Sequence, residues 1–338
     1  MSNCDMPSDM AALVEQIKIN DNFLIASHLN PDGDAVGSSV GMAYVLQALG
    51  KNFRLYNVSP LPSDYDWLPL PKPFAASLAE LGNFKPEACL ILDCGDDHRM
   101  GNELLQAFQN NFFKLTLAVD HHSDNSHFAK YNWVDAKASA TAVLVADIAR
   151  ALNVPLTQEL GLAIYLGMVS DTGYFSYANT DSRTLRLAAE IVDLGLDVDA
   201  FSNSYENVWS MNRLKLWGRL FNEIHLTHSG RVAHATVLRQ DLLELGLSSS
   251  DLTDFASWMR RIKGVRVTAL FRETANGGTK VSLRSSSGIN VQKVATLCGG
   301  GGHYNAAAAE LDLDLAQAEQ KILPLLAQAV DEAKSASV

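Results

Sequence analysis

The chain alternates short, mainly apolar runs with longer stretches in which apolar residues recur every three or four positions. Asn22 to Ser27 (NFLIAS), Phe53 to Val58, Ala88 to Leu92 (ACLIL) and Leu115 to Val119 (LTLAV) are runs of the first kind. Such runs are too short for helices and apolar on both faces, so they predict strands buried on both sides, as in a parallel sheet. Helical periodicity appears at about Ala35 to Leu49, Ala140 to Leu152, Gln158 to Val169 and Ser182 to Leu194. Strands alternating with helices predict an α/β domain over residues 1–200, with a mostly parallel, doubly wound sheet. The proline-rich segment Pro60 to Lys72 breaks the rhythm and predicts a surface loop.

Beyond residue 200 the texture changes. Residues 201–222 are rich in Trp, Arg and Lys and predict a helical linker. Strand patterns follow at Ile224 to Thr227, Val232 to Leu238, Val265 to Arg272 and Lys280 to Arg284. Turn signals lie at His228-Ser229-Gly230 and Asn276-Gly277-Gly278. A helix near Val291, a glycine run, a small-residue helix start after His303 and a closing helix from about Leu315 complete the pattern. Residues 223–338 therefore predict a smaller α+β domain suited to substrate binding.

Composition narrows the function. No apolar run approaches the ~18 residues of a membrane span, and MSNCDMPSDM lacks the basic-then-apolar pattern of a secretory signal. Cys4, Cys89, Cys94 and Cys298 form no C-x-x-C pair, which suits reduced thiols and a cytoplasmic location. The net charge of -11 argues against a protein that grips long nucleic acid through counterion release. A small phosphorylated substrate remains compatible, because a few cations or bound metals can attract it locally.

The chemistry sits where the apolar runs end. NFLIAS is followed by His28-Leu29-Asn30-Pro31-Asp32-Gly33-Asp34, ACLIL by Asp93-Cys94-Gly95-Asp96, and LTLAV by Asp120-His121-His122. Ser170-Asp171-Thr172-Gly173 closes an apolar helix. Ligands of open α/β sheets collect beyond the carboxyl ends of the strands, so these side chains should converge on one crevice. Each piece has a plainer use: Asp32-Gly33-Asp34 can be a turn with a helix cap, Asp93 a loop residue, His121-His122 a buried and an exposed ring. Their joint occurrence at successive strand ends points to a site. Imidazole mixed with carboxylate suits Mn, Fe or Zn, and an oxygen-rich set leans to Mn. With His28, Asp32, Asp34, Asp93, His121 and Asp171 as ligands, the four carboxylates carry -4, which two divalent ions would cancel.

SHLNPDGDAVGSS, LDCGDDHRMG, AVDHH and SDTGYF resemble, in order and spacing, the four signature motifs of the DHH phosphoesterase family, and GGGGHYNAAA resembles the glycine-rich signature of its DHH-associated domain. The resemblance runs from about Asp21 to Ala329 and is greatest to the bacterial nanoRNase and pAp phosphatase group. It implies that His28, Asp32 and Asp93 hold one metal, that Asp34, His121 and Asp171 hold a second, and that Asp93 bridges. Asp120 would orient the ligand histidine. His122 would face substrate, stabilising phosphate or assisting proton transfer. The family more often has glycine where this chain has Ala308.

Gly299 to Gly302 followed by His303 can expose successive backbone N–H groups as an anion nest, which makes Gly300, Gly301, Gly302 and His303 candidates for substrate phosphate. Arg284 and Ser285 match the family's phosphate-binding position, although a solvated strand end would look the same. Arg99, after the second metal motif, can meet a phosphate or be an ordinary surface arginine. Tyr174 or Tyr177 could stack on a base, although core packing is the commoner use of such rings. The combined expectation is a two-metal phosphodiesterase that hydrolyses very short RNA oligonucleotides to 5′-mononucleotides through an activated water. A pAp 3′-phosphatase and a cyclic or linear dinucleotide phosphodiesterase would use the same centre. A nucleotide sensor without turnover would have no need of the full ligand set. A homodimer is allowed.

Overall fold

Six strands form the sheet of the first unit: β1 (Phe23–Ala26), β2 (Phe53–Tyr56), β3 (Phe74–Ala75), β4 (Ala88–Leu92), β5 (Leu115–Asp120) and β6 (Tyr131–Val134). All pairings are parallel, in the order β3-β2-β1-β4-β5-β6. Every residue of β1 and β4 is buried, which explains the unbroken apolar runs. On one face Phe23, Ile25, Leu90 and Leu117 pack with α1 (Ser8–Ile19), α2 (Gly33–Ala48), α4 (Thr141–Ala151), α5 (Gln158–Thr172), α6 (Ser182–Asp193) and α7 (Val198–Tyr205). On the other, Leu24, Cys89 and Ile91 pack with α3 (Asn102–Gln109). The chain leaves β1 toward β2 and β3 and continues from β4 toward β5 and β6. The gap between β1 and β4 is thus the switch point at which such sheets place ligands.

The computed structural model describes residues 6–205, 209–286, 288–302 and 304–335, in two units that divide between residues 208 and 209. In the second unit, β7 (His225–Thr227), β8 (Val232–Val237), β9 (Val267–Glu273), β10 (Thr279–Ser285), β11 (Gly301–Gly302) and β12 (Ala306–Leu311) form a sheet in the order β11-β12-β10-β9-β8-β7. Only β8 and β9 pair in parallel. α8 (Met211–Asn222), α9 (Arg239–Leu245) and α10 (Phe255–Met259) cover one face, while α11 (Val291–Leu297) and α12 (Leu315–Ser335) cover the other. No helix among the described residues is long and apolar enough to cross a membrane.

Three sequence readings change. The expected linker is shared between two cores: Phe201 of α7 is buried in the first, and Leu216, Trp217 and Leu220 of α8 in the second. The alanine run after the glycines is a strand rather than a helix start. Alanine alone prefers helix, but β12 pairs with β10 over six positions and buries Ala307, Ala309 and Leu311 on one face. The proline-rich segment is also partly internal, since Tyr65 and Leu68 join the first core. The pattern as read also carries no expectation for α1, β3, α3, β6, α9 and α10. α1 carries a regular signal, with Met10, Leu13, Val14 and Ile17 buried at helical spacing.

α2 and α5 are held together by absent side chains. A Cβ on Gly37 would lie 2.4 Å from the Ala163 carbonyl oxygen, and one on Gly33 2.7 Å from Ser170 Cβ. A Cβ on Gly167 would lie 2.5 Å from Ala142 Cβ and 2.6 Å from Asp34 Oδ1. Glycine here permits a helix approach that sets Asp34, in the first turn of α2, against Asp171, in the last turn of α5. Gly167→Ala should therefore lower stability by about 1–3 kcal/mol, as overpacking does, and reduce metal uptake by displacing Asp34. Denaturant titration and metal analysis read the two effects. Wild-type values in both would mean that the seam relaxes around a methyl group.

Candidate metal centre

Each ligand candidate owes its place to the end of a strand or helix, or to a turn beside one. Asp32 caps α2, its Oδ1 accepting from the Asp34 and Ala35 amides at 3.1 Å each. The capping and site readings of this residue thus hold together. Asp34 lies in the first turn of α2, fully buried. Its carboxylate accepts from the Thr141 N–H at 2.6 Å and the Ala142 N–H at 2.9 Å, at the positive end of α4. Asp93 leaves β4 with φ +55, a conformation costly for a residue other than glycine and common at functional sites. Its amide is tied to the Val119 carbonyl at 3.1 Å.

Both candidate histidines are held by one ring nitrogen so that the other faces the acids. His28 Nδ1 donates to the Leu29 carbonyl at 2.7 Å, and His121 Nδ1 to the Ala138 carbonyl at 3.2 Å. Carbonyl oxygens only accept, so in the neutral form of each ring Nε2 carries the lone pair. His28 Nε2 lies 3.9 Å from Asp32 Oδ1 and 3.7 Å from Asp93 Oδ2. His121 Nε2 lies 3.8 Å from Asp34 Oδ2, 3.6 Å from Asp93 Oδ1 and 3.0 Å from Asp171 Oδ2. The six candidates thus form two donor groups, His28-Asp32-Asp93 and Asp34-His121-Asp171, and the two oxygens of Asp93 face one histidine of each.

These residues fit divalent ions on their own chemistry. His121 Nε2 is buried without a hydrogen-bond partner, and a lone pair aimed at three carboxylates repels them unless a cation or proton intervenes. The titration shifts record the same conflict. Burial pushes the Asp34 carboxyl up, Asp93 and Asp171 add to the shift, and His121 opposes it. Burial likewise pushes Asp171 up to about 6, with Asp32 and Asp93 adding and His121 opposing. Burial alone would keep His28 neutral, but Asp93 and Asp32 raise it to about 9. Asp93 goes the other way: burial opposes its charge, yet His28, His122 and His121 hold its carboxyl well below the usual range.

One expected role moves. Asp120 accepts from His122 Nδ1 at 2.7 Å, not from the ring of His121, to which it offers only a bond with the backbone amide at 2.8 Å. The physical reason is reach: His121 turns its ring toward Ala138, leaving the buried Asp120 carboxylate to its neighbour. Asn125 Nδ2 completes that carboxylate at 2.6 Å and had escaped the sequence reading, as had the α4 amides on Asp34. His122 Nδ1 also lies 3.6 Å from Asp93 Oδ1, but its proton belongs to Asp120, so this nitrogen is no ligand. Arg99 is exposed in a short 3-10 turn, near enough to oppose protonation of His28. Tyr174 and Tyr177 are exposed beyond Asp171.

In the second unit the glycine run works differently from an open nest. The Gly299 and Gly300 amides donate to Thr296 and Ala295 and cap α11. Gly301 and Gly302 pair with Ala308 and Ala307 of β12 while remaining exposed. Glycine is needed because a Cβ on Gly300 would lie 2.1 Å from the Ala308 carbonyl oxygen. Ser285 is fully buried and spent internally, donating to the Ile289 carbonyl at 2.7 Å and accepting from Asn305 at 2.8 Å. Arg284 is half-buried and acts on the carboxyl of Asp254, which burial pushes up and Arg284 and Arg213 draw down. His303 lies outside the described residues.

The N-terminal domain of the DHH family matches residues 22–168, and the DHHA1 domain matches residues 229–332. The chain belongs to the DHH family of phosphoesterases and is a hydrolase of phosphoric ester bonds. It is 32% identical to the bifunctional oligoribonuclease and PAP phosphatase NrnA of Thermus thermophilus, covering 93% of this chain and 92% of that protein. It is 26% identical to the protein of the same name from Bacillus subtilis, covering 88% and 92%. The crystal structure of an exopolyphosphatase-related protein from Bacteroides fragilis shares the fold with a TM-score of 0.90 at 22% identity, covering 99% and 100% of the two chains.

For the metal-stripped protein the shifts of His28 and Asp171 act in one direction. His28, raised from 6.5 to about 9, favours the fold below pH 6.5 and loses that contribution as pH climbs through 9. Asp171, raised from 3.8 to about 6, loses its contribution between those values. The melting temperature of the stripped protein should fall from about pH 4 to about pH 9. Metal binding near neutrality should release protons, read calorimetrically as a heat that depends on the buffer's ionisation enthalpy. A flat melting profile with no buffer dependence would mean that His28 is neutral before metal arrives.

Proposed function

We propose that the chain is a two-metal phosphodiesterase that hydrolyses very short RNA oligonucleotides, dinucleotides above all, to 5′-mononucleotides. The observation that carries the reading is the position of Asp93, one oxygen toward His28 and the other toward His121. His28 and Asp32 on one side and Asp34, His121 and Asp171 on the other would hold two divalent ions, for which Mn²⁺ suits the oxygen-rich set. Bound there, the ions would lower the pKa of a water and neutralise phosphoryl oxygens.

The chain's own groups do the rest. His122, its Nδ1 proton fixed by Asp120, is the residue we assign to the substrate side, stabilising phosphate or moving a proton to the leaving oxygen. Arg99 is our candidate for a further phosphate contact. In the second unit we assign the nucleotide's distal phosphate to Arg284, to the exposed Gly301–Gly302 edge and to His303. The acidic net charge of -11 supports a short substrate, because a long strand would need a broad cationic track. The double name of the relatives, oligoribonuclease and PAP phosphatase, favours one second reading, removal of a 3′-phosphate from pAp at the same centre.

Mn-loaded protein offered dinucleotides, a ~20-mer, pAp, cyclic dinucleotides and pyrophosphate should cleave dinucleotides at least about tenfold faster than the long strand, with a shallow salt dependence. Equal rates on both lengths with a steep salt slope would identify a nuclease that tracks long strands and sink the reading. His122→Ala should keep its metal and lose about 10²–10⁴-fold in kcat, the range of a lost proton-transfer group. Loss of metal in that variant would make His122 a ligand instead.

A further inference from the structure

The turn between β6 and α4 touches both donor groups. Thr141, the first residue of α4, is fully buried. Its N–H reaches Asp34 Oδ2 at 2.6 Å, and its Oγ1 donates to Asp93 Oδ1 at 3.1 Å. One residue thus holds a carboxylate that faces only His121 and a second that faces His28 as well. Three residues earlier, the Ala138 carbonyl fixes the ring of His121. Between them, the Ser139 carbonyl and the Asp171 carbonyl accept from the same Asn179 side chain, each at 3.0 Å.

The turn is itself braced from behind. Ser139 Oγ donates to Thr184 Oγ1 at 2.7 Å, and that hydroxyl donates to Asp181 at 2.8 Å. Arg183 joins Asp135, where the turn begins, to Asp147 of α4. A carboxylate free to rotate about its last bond would spread its oxygens over many directions. A hydroxyl proton on Oδ1 selects the rotation that leaves Oδ2 toward His28, and outer hydrogen bonds of this kind set ligand direction in metal sites.

We propose that residues 138–142 form a rigid template for the metal centre, with Thr141 as the positioning residue that sets Asp93 between the two donor groups. The inference rests on the two-ion reading above and concerns this chain's own residues. Thr141→Val keeps the shape and the backbone N–H and removes only the hydroxyl, whereas Thr141→Ser restores it. Mn²⁺ titration followed by electron paramagnetic resonance reads stoichiometry and affinity without turnover, and calorimetric melting of the stripped proteins checks that both fold.

Thr141→Val should bind Mn²⁺ about ten- to a hundredfold more weakly, the usual effect of removing a group that orients a ligand. Both ions should be affected, because Asp93 serves both groups, and Thr141→Ser should return to wild-type affinity. Asn179→Ala, which cuts the tie between the turn and Asp171, should weaken binding in the same direction and carries the test if the valine variant does not fold. Wild-type Mn²⁺ affinity in Thr141→Val, or equal loss in the serine variant, overturns the template alone. A wild-type protein that takes up fewer than two Mn²⁺ overturns the two-ion reading and the template with it.

Discussion

Like charges held out of water are the constraint around which the first unit is organised. Asp34, Asp93 and Asp171 converge with Asp32 on two imidazoles at the switch point of a parallel sheet. Such a cluster would fly apart or stay protonated without opposing partial charges, and desolvation makes each unpaired carboxylate expensive. The fold opposes that cost with parts already in place. The N-terminus of α4 points two amides at Asp34, carbonyls fix the histidine tautomers, and Asn125 with two neighbouring histidines surrounds Asp120. Cations complete a charge balance that the protein has built only on one side.

Close helix packing is the second requirement. Asp34 and Asp171 belong to different helices, and ordinary side chains between α2 and α5 would hold them apart. The glycines at 33, 37 and 167 remove that spacer. Stability and site geometry therefore share the same contacts, so that a change made for packing alters the distance between carboxylates.

Much of this was legible in the chain, for definite reasons. Buried parallel strands write themselves as apolar runs, and a residue immediately after such a run must lie at the strand's carboxyl end. That logic located His28, Asp93 and His121 without coordinates. Edge strands leave a weaker trace: β3 is two residues long and β6 mixes Tyr131, Asn132, Trp133 and Val134. The alanines of β12 misled because local preference favours helix, whereas the strand is imposed by pairing with β10 and by glycine backbone on its other side. Which histidine Asp120 would hold was illegible too. Adjacent residues differ by ring direction, and only the position of the Ala138 carbonyl decides it.

The backbone of Asp93 carries a further implication. At φ +55 the peptide suits glycine far better than alanine or any branched residue. Holding an aspartate there keeps strain in the chain for the sake of one carboxylate. Glycine at this position would be free of that strain but would remove both of the oxygens that face His28 and His121.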